Sequence, residues 1–118
     1  MKVLVTGGTG FIGSQLARRL LAEGHGVRVL SLVNTPAEAR NAADLTRRGA
    51  DLIEGSVTDR RLHDSALDGT EVVQHVAALM REANVPDRVF WDTNLAATQD
   101  LVRAARGRGV RRFVYCST

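Results

Sequence analysis

The chain has 118 residues, enough for one domain with a real core. Its 44% hydrophobic and 25% charged residues are those of an ordinary globular protein, and no apolar run approaches the ~18 residues needed to cross a bilayer. The net charge of +3 is carried almost wholly by arginine, in scattered positions (Arg18-Arg19, Arg40, Arg47-Arg48, Arg60-Arg61, Arg103, Arg106, Arg108, Arg111-Arg112) with few aromatics for base stacking, so neither a nucleic-acid nor a membrane partner is expected.

Val3-Leu4-Val5 is a short apolar run that reads as a strand buried on both faces. It ends at once in Thr6-Gly7-Gly8, so it does not read as a signal peptide. Ile12 to Glu23 follows as a helix with Ile12, Leu16, Ala17, Leu20 and Leu21 on one side, stopped by Gly24. Val27–Leu30 predicts a second strand, and Ala37 to Arg48 a weaker helix closed by Gly49. Asp51–Glu54 is a short third strand, Arg60 to Leu67 a short helix, and Asp68-Gly69 a turn. Glu71 to Val76 is a fourth strand. Pro86 opens a long helical stretch to Arg106, with Leu95, Thr98, Leu101, Val102 and Ala105 at helical spacing. Arg112 to Cys116 is a fifth strand. Cys116 is the only cysteine, so an internal disulfide is excluded and a reducing, cytoplasmic setting is expected.

Strand and helix alternate throughout, which implies a parallel sheet with helices on both faces. Right-handed crossovers then give the strand order 3-2-1-4-5 in an α/β, three-layer αβα domain.

The sharpest local signal is Thr6-Gly7-Gly8-Thr9-Gly10-Phe11-Ile12-Gly13, between the first strand and the first helix. Glycines there allow a tight turn, a close approach of backbone to a pyrophosphate, and close helix–strand packing. The pyrophosphate would lie on the free N–H groups and positive dipole end of the helix. In that strand–turn–helix context the motif predicts a Rossmann-type domain that binds NAD or NADP.

This segment, with glycines 7, 10 and 13, resembles the fingerprint of the extended short-chain dehydrogenases/reductases, the NAD-dependent epimerase/dehydratase group. Further likenesses follow in family order: Gly55–Asp59 after strand three, Val73–Ala78 at strand four, Asn94–Thr98 in the long helix, and Gly109–Thr118 at strand five. His75–Leu79 and the Phe90-Trp91 pair lean slightly toward the branch of steroid dehydrogenases and dihydroflavonol reductases. The resemblance implies that Phe11 and Ile12 offer N–H groups to the pyrophosphate, and that Ala77 and Ala78 let the cofactor lie close to the backbone. It implies that Asn94 ties the long helix to strand four, and that Thr118 is the catalytic hydroxyl on the substrate. Ser31 and Ser56, with Val57, stand where the family binds the adenosine, and Cys116 is expected as a buried strand residue whose backbone faces the cofactor. His75 reads as a packed core histidine. No metal site is expected.

Four departures stand out. Ser31 replaces the acidic residue expected about 20 residues past the glycines. Without that carboxylate NADP should be tolerated, with Arg40 able to fold back on it. Ser56 replaces an aspartate and Ala97 a glycine. The family's Tyr-x-x-x-Lys pair is also missing, because the only lysine is Lys2. The chain therefore reads as the N-terminal NAD(P)-binding portion, truncated after strand five, of an oxidoreductase or epimerase. Its substrate would be a small molecule carrying a hydroxyl or keto group (sugar nucleotide, steroid-like or flavonoid-like). A homo-oligomer is expected. The alternative is a non-catalytic dinucleotide-binding or sensor module.

Overall fold

The structure is a computed structural model that describes residues 1–79 and 84–116. Five parallel strands, β1 (Lys2–Thr6), β2 (Gly26–Ser31), β3 (Asp51–Glu54), β4 (Val72–His75) and β5 (Arg112–Tyr115), form one sheet in the order β3-β2-β1-β4-β5. The helices between them are α1 (Phe11–Ala22), α2 (Pro36–Arg47), α3 (His63–Leu67, preceded by a 3-10 turn at Arg60–Leu62), α4 (Asp87–Trp91) and α5 (Ala97–Gly107). The expected fold class and order are thus observed.

Alternation along the central strands sorts the core into two layers, because successive strand side chains point to opposite faces. Leu4, Leu30 and Val73 pack on one face with Ala66, Leu67, Leu101 and Ala105 of α3 and α5. Val3, Val5, Val27 and Val29 pack on the other with Ala17 and Leu45 of α1 and α2. Arg28 also lies on the α3 side and is buried. Its guanidinium donates to Asp51 and to the carbonyls of Ser65, Ala66 and Asp68 at the end of α3, which offsets the burial of its charge.

Three details differ from the periodicity. Ile12 is 60% exposed: as the second residue of α1 it lies on the rim of a cleft, not in the core. The long helix is interrupted by a π-helical segment, Asp92–Ala96. The extra residue in that turn rotates the side chains before it relative to those after it, so Leu95 is exposed while Ala97, Leu101 and Ala105 are buried. Cys116 is exposed, not buried, because β5 is an edge of the described sheet; Val114 and Tyr115 beside it are exposed as well.

Candidate functional site

Where β1 and β4 lie side by side, the chain after β1 runs to α1 and the chain after β4 runs the opposite way, so the two loops part and leave a crevice beyond the strand ends. There the structure forms a cleft of about 590 Å³. It is lined by Gly7, Gly10, Phe11, Ile12 and Gly13 after β1, and by Ser31, Leu32 and Glu38 after β2. Gly55, Ser56 and Val57 line it after β3, and Val76 to Leu79 after β4, with Val89 and Thr93 at one end.

The glycines divide by what they do. Gly7 has φ +71°, and a Cβ there would come within 2.8 Å of the Ala77 backbone. A Cβ on Gly13 would fall on the Gly7 carbonyl oxygen. Both are demanded by packing. Gly10 is different: its φ of −79° and ψ of −179° suit any residue, and a Cβ would meet only the Gly7 carbonyl oxygen, at 3.4 Å. Its missing side chain opens space on the cleft rather than inside the protein. Gly10 caps α1, whose first intrahelical acceptor, the Gly10 carbonyl, receives the Ser14 N–H. The N–H groups of Phe11, Ile12 and Gly13 therefore have no intrahelical acceptor, and no acidic residue stands in that turn. This is a positive helix end open to an anion.

The turn is held from outside. The Thr9 carbonyl accepts from Asn41 of α2, whose own carbonyl oxygen accepts from Arg18. Arg18 also pairs with Asp44, and the guanidinium groups of Arg18, Arg47 and Arg48 hold the Asp44 carboxyl down at about 2. The Ser31 hydroxyl, on the cleft wall, is bonded to the Thr9 N–H and hydroxyl at 3.2 and 2.7 Å. Ser56 is bonded locally to Thr58.

The β4 side is fixed by a directional chain. The Thr6 hydroxyl oxygen accepts from the N–H groups of Val76 and Ala77, both at 3.1 Å. Its lone pairs are then used, so its proton goes to Nδ1 of His75 at 2.6 Å. His75 must carry its own proton on Nε2, which donates to Thr98 at 2.7 Å, and Thr98 donates to the Asn94 carbonyl at 3.1 Å. Burial, and secondarily the charge of His63, pushes the His75 pKa down to about 4. His75 is 1% exposed and stacks on Tyr115, so it is a structural core residue, as expected. Asn94 lies in the π-helical segment and clasps Leu79 twice, accepting from its N–H and donating to its carbonyl.

Of the residues singled out from sequence, Gly7, Gly10, Phe11, Ile12, Gly13, Ser31, Ser56, Val57, Ala77 and Ala78 all line this one cleft. Asn94 acts one step behind it. Cys116 is not among the described lining residues, and its expected burial is overturned. Thr118 lies outside the described residues. The sequence motifs assign no role to Thr6, Thr9 or Glu38. The Ser/Thr-x-x-Glu capping pattern at Thr35–Glu38 was the only local sign of Glu38.

Comparison with known proteins agrees with this geometry. The sequence matches the NAD dependent epimerase/dehydratase family over residues 3–118. It is 36% identical to a 3 beta-hydroxysteroid dehydrogenase/Delta 5→4-isomerase of Mycobacterium tuberculosis, covering 99% of this chain and 31% of that protein. It is 36% identical to a UDP-glucose 4-epimerase of Streptomyces lividans, covering 99% of this chain and 36% of that protein. The chain thus spans about a third of the length of these relatives. The fold superimposes with a TM-score of 0.83 on a short-chain dehydrogenase/reductase superfamily protein of Agrobacterium tumefaciens crystallised with bound NAD, at 30% identity, over 100% of this chain and 33% of that one. With the five-stranded sheet, the glycine turn and a match from Val3 to Thr118, the chain belongs to the NAD dependent epimerase/dehydratase family.

Proposed function

We propose that residues 1–118 are the NAD-binding domain of an enzyme that oxidises or reduces a hydroxyl- or keto-bearing carbon of a small molecule. The observation that carries this is Gly10, a glycine that neither packing nor backbone conformation requires and that leaves the helix end open to the cleft. Phe11, Ile12 and Gly13 would hold the pyrophosphate on free N–H groups, with Gly7, whose N–H is bonded to the Leu30 carbonyl, shaping the turn. Ser31, held from behind by Thr9, would face the adenosine ribose, and Ser56 and Val57 the adenine. Ala77 and Ala78 would admit the cofactor close to β4, and Asn94 would hold that wall in place. The bound nicotinamide would supply hydride transfer, and Thr118 the hydroxyl that polarises the substrate. Relatives named as sugar-nucleotide epimerases and steroid dehydrogenases support a sugar nucleotide or steroid-like substrate, and favour an enzyme over a sensor module. We place the protein in the cytoplasm on its single cysteine. Calorimetric titration tests the core of the proposal: NAD should bind one-to-one, and an absence of binding up to millimolar NAD would overturn it.

The 118 residues should be catalytically silent by themselves. Their only lysine, Lys2, is on β1, and Tyr115 stacks on His75. Neither residue is placed as a general acid/base on the cleft, and such a group is commonly worth about 10²–10⁴-fold in rate. Assays with NAD and either UDP-glucose or a 3β-hydroxysteroid should show no turnover above background. Turnover that Gly10→Val abolishes would mean the acid/base lies within these residues.

The same 118 residues should self-associate at micromolar concentration through β5, an edge strand with exposed Val114 and Tyr115. Sedimentation velocity checks this, and a monomer across that range would contradict it.

A further inference from the structure

Among the described residues lining the cleft, Glu38 is the only one with an ionisable side chain. We infer that Glu38 selects NAD over NADP by opposing a 2′-phosphate. The inference rests on the dinucleotide reading above and adds the choice of cofactor to it.

The adenosine ribose of a dinucleotide lies at the end of the second strand, beside the glycine turn. In this chain that place is made by Ser31 and Leu32, with Glu38 entering from the first turn of α2. Ser31 brings no charge, and its hydroxyl is already shared with Thr9. The negative charge that the end of β2 lacks is therefore supplied from α2. Glu38 is held there by a capping box. One of its carboxylate oxygens accepts from the N–H groups of Asn34 and Thr35 at 3.1 and 3.0 Å, and its own N–H donates to the Thr35 hydroxyl at 3.1 Å.

The same box takes up most of what a 2′-phosphate would need. A phosphate dianion at a helix start requires free backbone donors. Here those of Asn34, Thr35 and Glu38 are occupied, Ala39 donates to the Thr35 carbonyl, Pro36 has none, and Ala37 alone in that turn keeps an N–H without a partner among the described residues. The positive end of α2 is likewise answered by the Glu38 carboxylate. No cation offsets this among the described lining residues. Arg40 sits two positions on, about 200° around the helix, exposed and off the cleft. Arg18 is engaged by Asp44 and Asn41. The ribose end is thus built to accept neutral hydroxyls and to repel a phosphate.

Glu38→Gln tests this directly, because glutamine preserves the capping box and removes only the charge. The full 118-residue chain is titrated with NAD and with NADP, as wild type and variant, at low ionic strength, with thermal melts confirming equal folding. The wild type should bind NAD at least tenfold more tightly than NADP. Glu38→Gln should strengthen NADP binding about tenfold, the scale of one relieved like-charge contact, and leave NAD within about threefold. NADP affinity unchanged by the substitution, with NAD still bound, would overturn the role of Glu38 and leave the dinucleotide site standing. Failure of both proteins to bind either nucleotide would overturn the site and this inference together.

Discussion

Gly10→Val is expected to abolish NAD binding, by at least about 100-fold, while the protein stays folded. The backbone at Gly10 is extended, and an added Cβ meets one carbonyl oxygen at ordinary contact distance. The structural cost is that of a poor helix cap, about 1 kcal/mol. The two branched methyls would instead occupy the cleft in front of the α1 N–H groups, where a pyrophosphate must approach the backbone. Gly7→Val and Gly13→Val make the contrast. The first forces a left-handed backbone on a branched residue against Ala77, and the second drives a side chain into the Gly7 carbonyl. Both should unfold the protein rather than merely silence it. Calorimetry with NAD, paired with thermal melts, separates the cases. A folded Gly10→Val chain that binds NAD as the wild type does would remove the cofactor from this turn.

Acid should weaken the fold through His75. The folded chain holds this ring neutral down to about pH 4, against an ordinary value of 6.5, chiefly because it is buried. Between those values the unfolded chain binds a proton that the folded chain does not. Stability is therefore fully present above pH 6.5 and is lost as pH falls toward 4. The whole window is worth up to about 3 kcal/mol, a large share of the stability of a small domain. Protonation would also place an unwanted donor on Nδ1 against the Thr6 hydroxyl, which holds Val76 and Ala77 at the cleft. Urea unfolding at several pH values should show this slope. His75→Leu, less stable overall, should show a flatter profile over the same window. An equal slope in both proteins would assign the acid sensitivity to other groups.

Much of this molecule is written locally. The apolar runs at Val3–Val5 and Val27–Leu30 declare buried strands, and glycines 7, 10 and 13 declare a tight turn into a helix. The alternation of the two periods leaves a parallel sheet as the way to bury both. Chain connectivity and handedness then dictate the order of the strands, so the sheet was legible before any contact was known. Side-chain partners were not. Thr6 meets His75 across 69 positions of sequence, and Ser31 meets Thr9 across 22. No local pattern records which hydroxyl will face which ring. The π-helical turn moved Leu95 off the core face without breaking any helical propensity. Cys116 reads as a buried strand residue until the sheet shows β5 at its edge. Glu38 looks like an ordinary capping residue, and only the packing of α2 on α1 and β3 brings it to the cleft wall. Periodicity reports which way a residue faces within its own element; what it faces is decided when distant elements pack, and that is where the ribose end of this site acquired its charge.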